Sequence, residues 1–119
     1  MKFYIMILYG IPNCDVTKKA MDWLKKHKLE YAFHNYKEKG ISAEKLNEWS
    51  RKVGWDKFFN KRSTTWKELP AIQQQSATDQ SNAVKIMREH NSIIKRPIIE
   101  HNGKLLIGFD EKLYQQQLV

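Results

Sequence analysis

The 119-residue sequence has a single cysteine, Cys14, and no apolar run near the roughly 20 residues needed to cross a bilayer. One cysteine excludes an internal disulfide. The short apolar segment of residues 3–9 leads directly into structured sequence rather than to a signal-peptide cleavage site. We therefore expect a cytoplasmic protein without a membrane partner, where glutathione keeps a lone thiol reduced.

Metal-ligand spacing is also missing. The histidines show no ligand spacing and pair with no further cysteine, so no metal or other bound cofactor is predicted. They are interpreted as surface or strand residues: His27, His34, His90 and His101.

Acidic residues are outnumbered, with 13 Asp and Glu against 21 Lys and Arg, which gives a formal net charge of +8. A basic domain attracts polyanions through its long-range field. No basic residues cluster at a spacing suited to reading a DNA groove, so direct nucleic-acid binding is not favoured. The tryptophans lie on apolar helical stripes or at helix starts, where core packing is expected rather than base stacking: Trp23, Trp49, Trp55 and Trp66.

The first third of the chain has the pattern of a parallel strand–helix–strand unit. Residues 3–9 form an apolar run closed by Gly10 and Pro12, and residues 30–36 alternate like a second strand. Between them, residues 15–27 predict a helix, with its apolar face formed by Val16, Ala20, Trp23 and Leu24. Such a unit places its active turn at the carboxyl end of the first strand, which is where Cys14 falls.

The middle of the chain, about residues 42–92, has a helical pattern. Ser42 is a suitable N-cap and Gly54 a suitable stop for one helix. Shorter helical pieces are predicted for residues 55–60 and around residues 66–72. Asp79 or Ser81 then caps a helix that ends near residue 90.

The end of the chain returns to strand character over residues 97–108. Asn102-Gly103 is typical of a tight hairpin turn between two strands. Asp110 is predicted to cap a final helix. The chain is therefore interpreted as one α/β domain, residues 1–119, with a small mixed sheet and a helical insertion at about residues 42–92.

Cys14 has two interpretations, a small buried hydrophobic residue or a reactive thiol. Its position before a helix favours the reactive thiol, because unpaired N–H groups and the helix dipole stabilise a thiolate. The positive charge of Lys18 would stabilise the Cys14 thiolate further, whereas the negative charge of Asp15 would destabilise it. Thr17 stands where a Cys-x-x-Cys pair would have its second cysteine, so any disulfide must form with an outside thiol.

Two arginines, Arg62 and Arg96, are weaker candidates for site residues than Cys14. Arg62 lies in a polar segment between helices, where Ser63 or Thr64 could cap the next helix, and by itself this is typical of a solvated loop. Arg96 precedes Pro97 at the start of a strand. An X-Pro bond is the peptide link for which the cis form is accessible, and a cis bond could direct an arginine or a backbone group at a thiol.

Four motifs in order resemble the ArsC/Spx family, and most closely its YffB-like branch, over nearly the whole chain. They are Gly10-Ile11-Pro12-Asn13-Cys14-Asp15 with Lys18-Lys19-Ala20, Asn60-Lys61-Arg62-Ser63-Thr64-Thr65-Trp66, Ile94-Lys95-Arg96-Pro97-Ile98, and Leu106-Ile107-Gly108-Phe109. The resemblance implies a thioredoxin-like fold, related to glutaredoxins, and a cis peptide at Arg96-Pro97 packed against the cysteine.

The same resemblance implies a set of site residues. In the arsenate reductases of this family a cysteine attacks arsenate, three arginines hold the oxyanion, and glutathione with glutaredoxin completes the reduction. Arg62 and Arg96 match two of those arginines, whereas the third falls at Gly108. Each charge-assisted hydrogen bond from an arginine to the oxyanion is worth roughly 1.5 to 3 kcal/mol. Because Gly108 has no side chain to supply the third arginine's bonds, arsenate reduction is only a minor alternative.

The leading hypothesis is a glutathione-dependent thiol–disulfide reductase or transferase with Cys14, Arg62 and Arg96 as catalytic residues. The expected partners are glutathione, glutaredoxin or protein disulfide substrates. The substrate-binding residues are assigned as Asn13, Lys18, Pro97 and Gly108. The alternative is an Spx-like regulator that binds RNA polymerase through an exposed patch on residues 42–60.

Overall fold

The computed structural model describes residues 6–119, which form two compact units. The first unit contains the chain up to Lys39 together with Arg96–Val119, and the second contains Gly40–Lys95. The helical segment predicted for about residues 42–92 lies inside the second unit. That the chain is a single domain stays a prediction.

The first unit is built on a four-stranded mixed sheet in the order β2-β1-β3-β4. β1 and β2 run parallel, whereas β1 with β3 and β3 with β4 run antiparallel. The strands are β1 (Ile7–Gly10), β2 (Ala32–Asn35), β3 (Ile98–His101) and β4 (Lys104–Ile107). The predicted parallel unit and mixed sheet are confirmed.

Local chemistry accounts for the connections of this unit. Asn102 and Gly103 both have positive φ, 50° and 75°, as a two-residue hairpin turn between antiparallel strands requires. Asp110 accepts a hydrogen bond from the Leu113 N–H and caps the last helix. The helices are α1 (Asp15–Lys26), α2 (Tyr36–Lys39) and α7 (Glu111–Leu118).

Three details differ from the sequence-based expectations. β1 begins at Ile7 and includes Gly10, while residues 3–5 of the predicted strand lie outside the described residues. β2 ends at Asn35, because Tyr36 already belongs to α2. Val16, placed on the apolar face of α1, is 41% exposed. Thr17 takes the buried position, since residues 17, 20 and 24 follow one helical stripe and residue 16 lies beside it.

One face of the sheet carries the apolar core of this unit. Leu8 of β1 and Ile99 of β3 are fully buried against α1 and α7. Burial of each such side chain stabilises the fold by about 1.5 to 3 kcal/mol. The helices contribute Ala20, Trp23, Leu24, Tyr114 and Leu118. The start of α1, and with it Cys14, is thereby held against the end of β1.

The second unit is helical apart from a single bridge between Phe59 and Ile94. Its α-helices are α3 (Ala43–Val53), α4 (Thr64–Glu68), α5 (Ala71–Ser76) and α6 (Gln80–Glu89), with 3-10 turns at Trp55–Lys57 and Asn91–Ile93. Ser42, Ser63 and Asp79 cap α3, α4 and α6 with their side chains, and Gly54 follows α3. The predicted caps are confirmed, and Asp79 rather than Ser81 caps α6.

Aromatic packing accounts for the tryptophans. The rings of Trp49 and Phe58 pack edge to face, with centroids 5.8 Å apart. Trp55 and Trp66 both pack edge to face against Phe59, with centroid distances of 5.4 and 5.1 Å. Trp23 contacts Tyr114 in the first unit in the same way, at 5.4 Å. The expected core packing is confirmed for Trp23 and Trp49, whereas Trp55 and Trp66 are half-buried and pack against Phe59. Ile72, in contrast, is 77% exposed.

Within residues 6–119, none of the helices combines the length and the apolar character that a membrane crossing requires.

Candidate active site around Cys14

Cys14 is the N-cap residue of α1. Its backbone is extended, with φ −103° and ψ 121°, and its carbonyl accepts the first helical hydrogen bond from the Lys18 N–H at 3.0 Å. No side chain caps this helix start. The first N–H groups of α1 are therefore left to the Cys14 sulfur, which is half-buried.

The surroundings of Cys14 favour the thiolate. Burial by itself raises the pKa of the Cys14 thiol, but hydrogen bonds from the Thr17 side chain and backbone, the Arg96 side chain and the Val16 backbone outweigh burial. The pKa therefore lies below its ordinary value. These donors stabilise the charged sulfur more than the neutral one, which is what activates a nucleophilic cysteine.

Thr17 is the donor that sequence reasoning missed. In the sequence it stands out only as the residue in place of a second cysteine, yet it is fully buried in the first turn of α1. Its hydroxyl oxygen is shielded from solvent, and hydrogen bonding by this hydroxyl lowers the pKa of the Cys14 thiol. A buried hydroxyl with one available acceptor favours the state in which that acceptor is charged. The available signal was a polar residue on the buried stripe of α1.

Arg96 reaches the same sulfur from the start of β3. The Arg96-Pro97 peptide bond is cis, as the resemblance implied, and Pro97 is buried. The Arg96 side chain is half-buried, with its Nε shielded from solvent, and its hydrogen bonding lowers the pKa of the Cys14 thiol. Arg96 therefore acts on Cys14 within the first unit, although more than 80 positions separate the two residues.

Gly108 is coupled to the cis-proline through the backbone. Its N–H donates to the Pro97 carbonyl at 2.7 Å, and its own carbonyl accepts from the Tyr114 hydroxyl at 2.7 Å. Its φ is +83°, a region that side-chain-bearing residues rarely adopt. The position that corresponds to the third family arginine is therefore a strained one for any residue except glycine.

The remaining predicted site residues are exposed. Asn13 precedes Cys14 in the turn, and the Lys18 side chain points to solvent from α1. Arg62 lies in the second unit, in the loop before α4, with its N–H donating to the Asn60 side chain at 3.1 Å. The roles of Asn13, Lys18 and Arg62 in the site stay predictions.

Residues 6–119 contain no group of three or more His, Cys, Asp or Glu arranged to hold a metal ion. His27 instead stacks on Trp23, with ring centroids 3.8 Å apart, at the end of α1.

Comparison with known proteins gives consistent results. A sequence model of the ArsC family matches residues 9–117. An uncharacterized protein of Haemophilus influenzae is 43% identical over 111 residues, which cover 93% of this chain and 96% of that protein. The global transcriptional regulator Spx of Bacillus subtilis is 26% identical over 110 residues, covering 90% of this chain and 82% of the regulator.

Solved structures are similar as well. A protein named YFFB shares 39% identity at a TM-score of 0.91, with 96% of this chain and 99% of that chain covered. An arsenate reductase (ArsC) related protein from Brucella melitensis shares 37% identity at a TM-score of 0.74, with 95% and 93% covered. The expected resemblance and the thioredoxin-like α/β fold are confirmed.

Proposed function

The chain belongs to the ArsC family, and on that premise we propose that it is a glutathione-dependent thiol–disulfide reductase or transferase with Cys14 as nucleophile. The observation that supports the proposal most strongly is the set of hydrogen bonds from Thr17, Arg96 and Val16 that lowers the pKa of the Cys14 thiol. A thiolate is the attacking form in disulfide exchange. We place the reaction in the cytoplasm, where glutathione is the abundant thiol.

The reaction we propose has two exchange steps. The Cys14 thiolate attacks the glutathione sulfur of a mixed disulfide between glutathione and a substrate thiol. A Cys14–glutathione disulfide forms and the substrate leaves as a thiolate. A second glutathione thiolate then attacks the glutathione sulfur of that disulfide, which releases oxidised glutathione and restores the Cys14 thiolate. Overall, one glutathione is oxidised as the substrate is reduced, and no second protein cysteine is needed.

Other residues would bind the glutathione moiety. Arg96 would pair with a glutathione carboxylate, and the family resemblance implies the same role for Arg62. The backbone beside Pro97 would align glutathione as an added strand. Asn13, Lys18 and Gly108 would line the substrate side.

The test is reduction of a glutathione–peptide mixed disulfide, followed by loss of NADPH in a glutathione reductase assay. Cys14→Ser should abolish the reaction. A matched control, Cys14→Ser combined with Val16→Cys, keeps one exposed thiol on α1 but removes it from the N-cap position, and it should remain inactive. Wild-type activity in Cys14→Ser, or full activity in the relocated-thiol variant, would show that Cys14 at the start of α1 is not the nucleophile.

A second candidate function is regulation, supported by the similarity to the transcriptional regulator Spx. The surface predicted for RNA polymerase, residues 42–60, has polar or charged side chains at its exposed positions, among them Glu44, Arg51 and Lys52. Binding there would be salt-sensitive. Capture of purified RNA polymerase by the immobilised protein at low salt, lost on Arg51→Glu with Lys52→Glu, would favour this candidate. No capture at low salt would eliminate it.

A further inference from the structure

One face of α1 and the segment that leads into α7 border a groove that the proposed reaction does not use. Its volume is about 790 Å³, and it lies within the first unit. Positions 19, 22, 23 and 26 share one face of α1, because residues three and four apart are neighbours on a helix. We call it the α1–α7 groove. The α1 side is lined by Lys19, Asp22, Trp23, Lys25 and Lys26, and the other side by Phe109 and Glu111.

The α1–α7 groove has an aromatic part. Trp23 and Phe109 both pack edge to face against the buried Tyr114, with ring centroids 5.4 and 5.3 Å apart. Trp23 is almost completely buried, whereas Phe109 is half-buried and offers more of its ring to a ligand. Because core contacts fix both rings, an apolar side chain that enters the groove would find a preformed surface.

The rest of the lining is charged. Lys19, Lys25 and Lys26 are exposed, and within residues 6–119 no carboxylate pairs with their ammonium groups. Asp22 and Glu111 are exposed as well, so three lysines against two carboxylates leave one positive charge in excess. This excess adds to the field of a chain with a formal net charge of +8. The groove therefore favours a ligand that combines acidic groups with an apolar one.

The α1–α7 groove begins close to the candidate active site. Lys19 lies on the same helix as Cys14, about 7.5 Å further along its axis at a rise of 1.5 Å per residue. Phe109 follows Gly108, whose N–H donates to the Pro97 carbonyl at 2.7 Å. One residue of extended chain spans about 3.3 Å, so a few residues would connect a segment in the groove to a cysteine at the Cys14 sulfur.

We propose that the α1–α7 groove binds an acidic peptide segment with an apolar side chain, which belongs to the protein whose disulfide Cys14 attacks. That the segment is part of a disulfide substrate rests on the proposed function. The apolar side chain would pack against Phe109, and the carboxylates would pair with Lys19 and Lys26. The groove would thereby select among protein disulfides, since an acidic segment is attracted to it and a basic one is repelled.

The first experiment measures binding of a peptide without cysteine, so the result does not depend on thiol chemistry. A fluorescein-labelled peptide of aspartate, leucine and glycine is titrated with the full chain at low salt, and its anisotropy gives the Kd. We expect Lys19→Glu with Lys26→Glu to weaken binding about tenfold, because each reversal replaces an attraction by a repulsion. Lys37→Glu with Lys39→Glu is the matched control and should weaken binding far less. It changes the net charge equally on α2, outside the groove.

A second peptide, with asparagine in place of each aspartate, tests the acidic part of the proposal. It should bind more weakly than the acidic peptide. Equal binding of the two would assign the affinity to apolar contact alone, and equal weakening in the groove and control variants would assign it to the overall charge of the chain. Either result, or no binding of the acidic peptide at low salt, would overturn the proposal.

Disulfide exchange then tests whether the segment in the groove belongs to a substrate. Glutathionylated forms of the two peptides, each with one added cysteine, are compared by their rate constants for reaction with Cys14. The acidic peptide should react faster, and this preference should disappear in Lys19→Glu with Lys26→Glu. A ratio of rate constants cancels any effect of the substitutions on the thiol itself, so an unchanged preference would show that substrates do not use the groove. Binding without exchange would refute the proposed function and leave the peptide site standing, so the two failures are distinguishable.

Discussion

Gly10 and Thr17 lie in direct contact, and a Cβ placed on Gly10 would lie 2.8 Å from Thr17 Oγ1 and 2.9 Å from Thr17 Cγ2. The end of β1 and the first turn of α1 approach this closely because residue 10 has no side chain. The close approach holds Thr17 in the buried position from which its hydrogen bonding lowers the pKa of the Cys14 thiol. The glycine in the turn thus helps to set the chemistry of the thiol.

Gly10→Ala should therefore displace Thr17. The new methyl group cannot be accommodated without moving the helix or the threonine, and overpacking of this kind costs about 1 to 3 kcal/mol. We expect a lower urea midpoint of unfolding and a higher alkylation midpoint for Cys14. In a Thr17→Ala background the clashing atoms are gone, so Gly10→Ala should cost much less. An equal loss of stability in the wild-type and Thr17→Ala backgrounds would show that Gly10→Ala does not act through Thr17.

Thr17→Val tests the hydroxyl at nearly constant shape. Removing the donor should raise the pKa of the Cys14 thiol, while Thr17→Ser should keep it low. Stability provides a second readout: at a pH where the thiol is neutral, loss of a buried hydroxyl should leave the free energy of unfolding unchanged or raised. At a pH where the thiolate forms, the same variant should be less stable than wild type. An alkylation midpoint that is the same in Thr17→Val and wild type would show that the hydroxyl does not serve the sulfur.

Stability should depend on pH through Cys14. The folded pKa is lowered, so between the two pKa values the unfolded chain binds more protons and the free energy of unfolding rises with pH. This contribution is fully present above the ordinary thiol pKa of about 8.5 and is lost as pH falls through the folded value. Urea unfolding of wild type and Cys14→Ser across this window should diverge with rising pH. If the free energies of unfolding of the two proteins differ by the same amount at every pH, the pKa of the Cys14 thiol is the same in the folded and the unfolded chain.

Gly108→Arg restores the third family arginine but introduces backbone strain. Nothing lies within 4 Å of a Cβ at this position, so space is available, but φ is +83°. We expect a destabilisation of about 1 to 3 kcal/mol, equal in the control Gly108→Ala. Arsenate reduction with glutathione and glutaredoxin should rise in Gly108→Arg alone if the missing guanidinium limits it. No gain over Gly108→Ala would show that a third arginine is not the limiting feature.

Sequence reasoning succeeded where structure depends on neighbours along the chain. Ser42 and Asp79 cap their helices because a short polar side chain reaches an N–H three positions on. Asn102-Gly103 forms the hairpin turn because both residues tolerate positive φ. The position of Cys14 at a helix start is predictable in the same way, since strand, turn and helix patterns are all local.

Neighbours along the chain could not reveal the groups that act on Cys14. The helical pattern predicts a buried Val16, yet Thr17 occupies the inner stripe of α1, because only packing against β1 decides which side of the first turn faces inward.

The four strands, the longer helices with their caps and the place of the lone thiol can thus be deduced from the amino-acid sequence, because short-range hydrogen bonding and hydrophobic periodicity set them, whereas the short helix α2 was not predicted. The activation of that thiol depends instead on how the strands pair. Pairing of β1 with β3 brings Arg96 toward Cys14 across more than 80 intervening residues. Electrostatic and hydrogen-bond effects depend on distances of a few ångströms, and tertiary packing sets those distances.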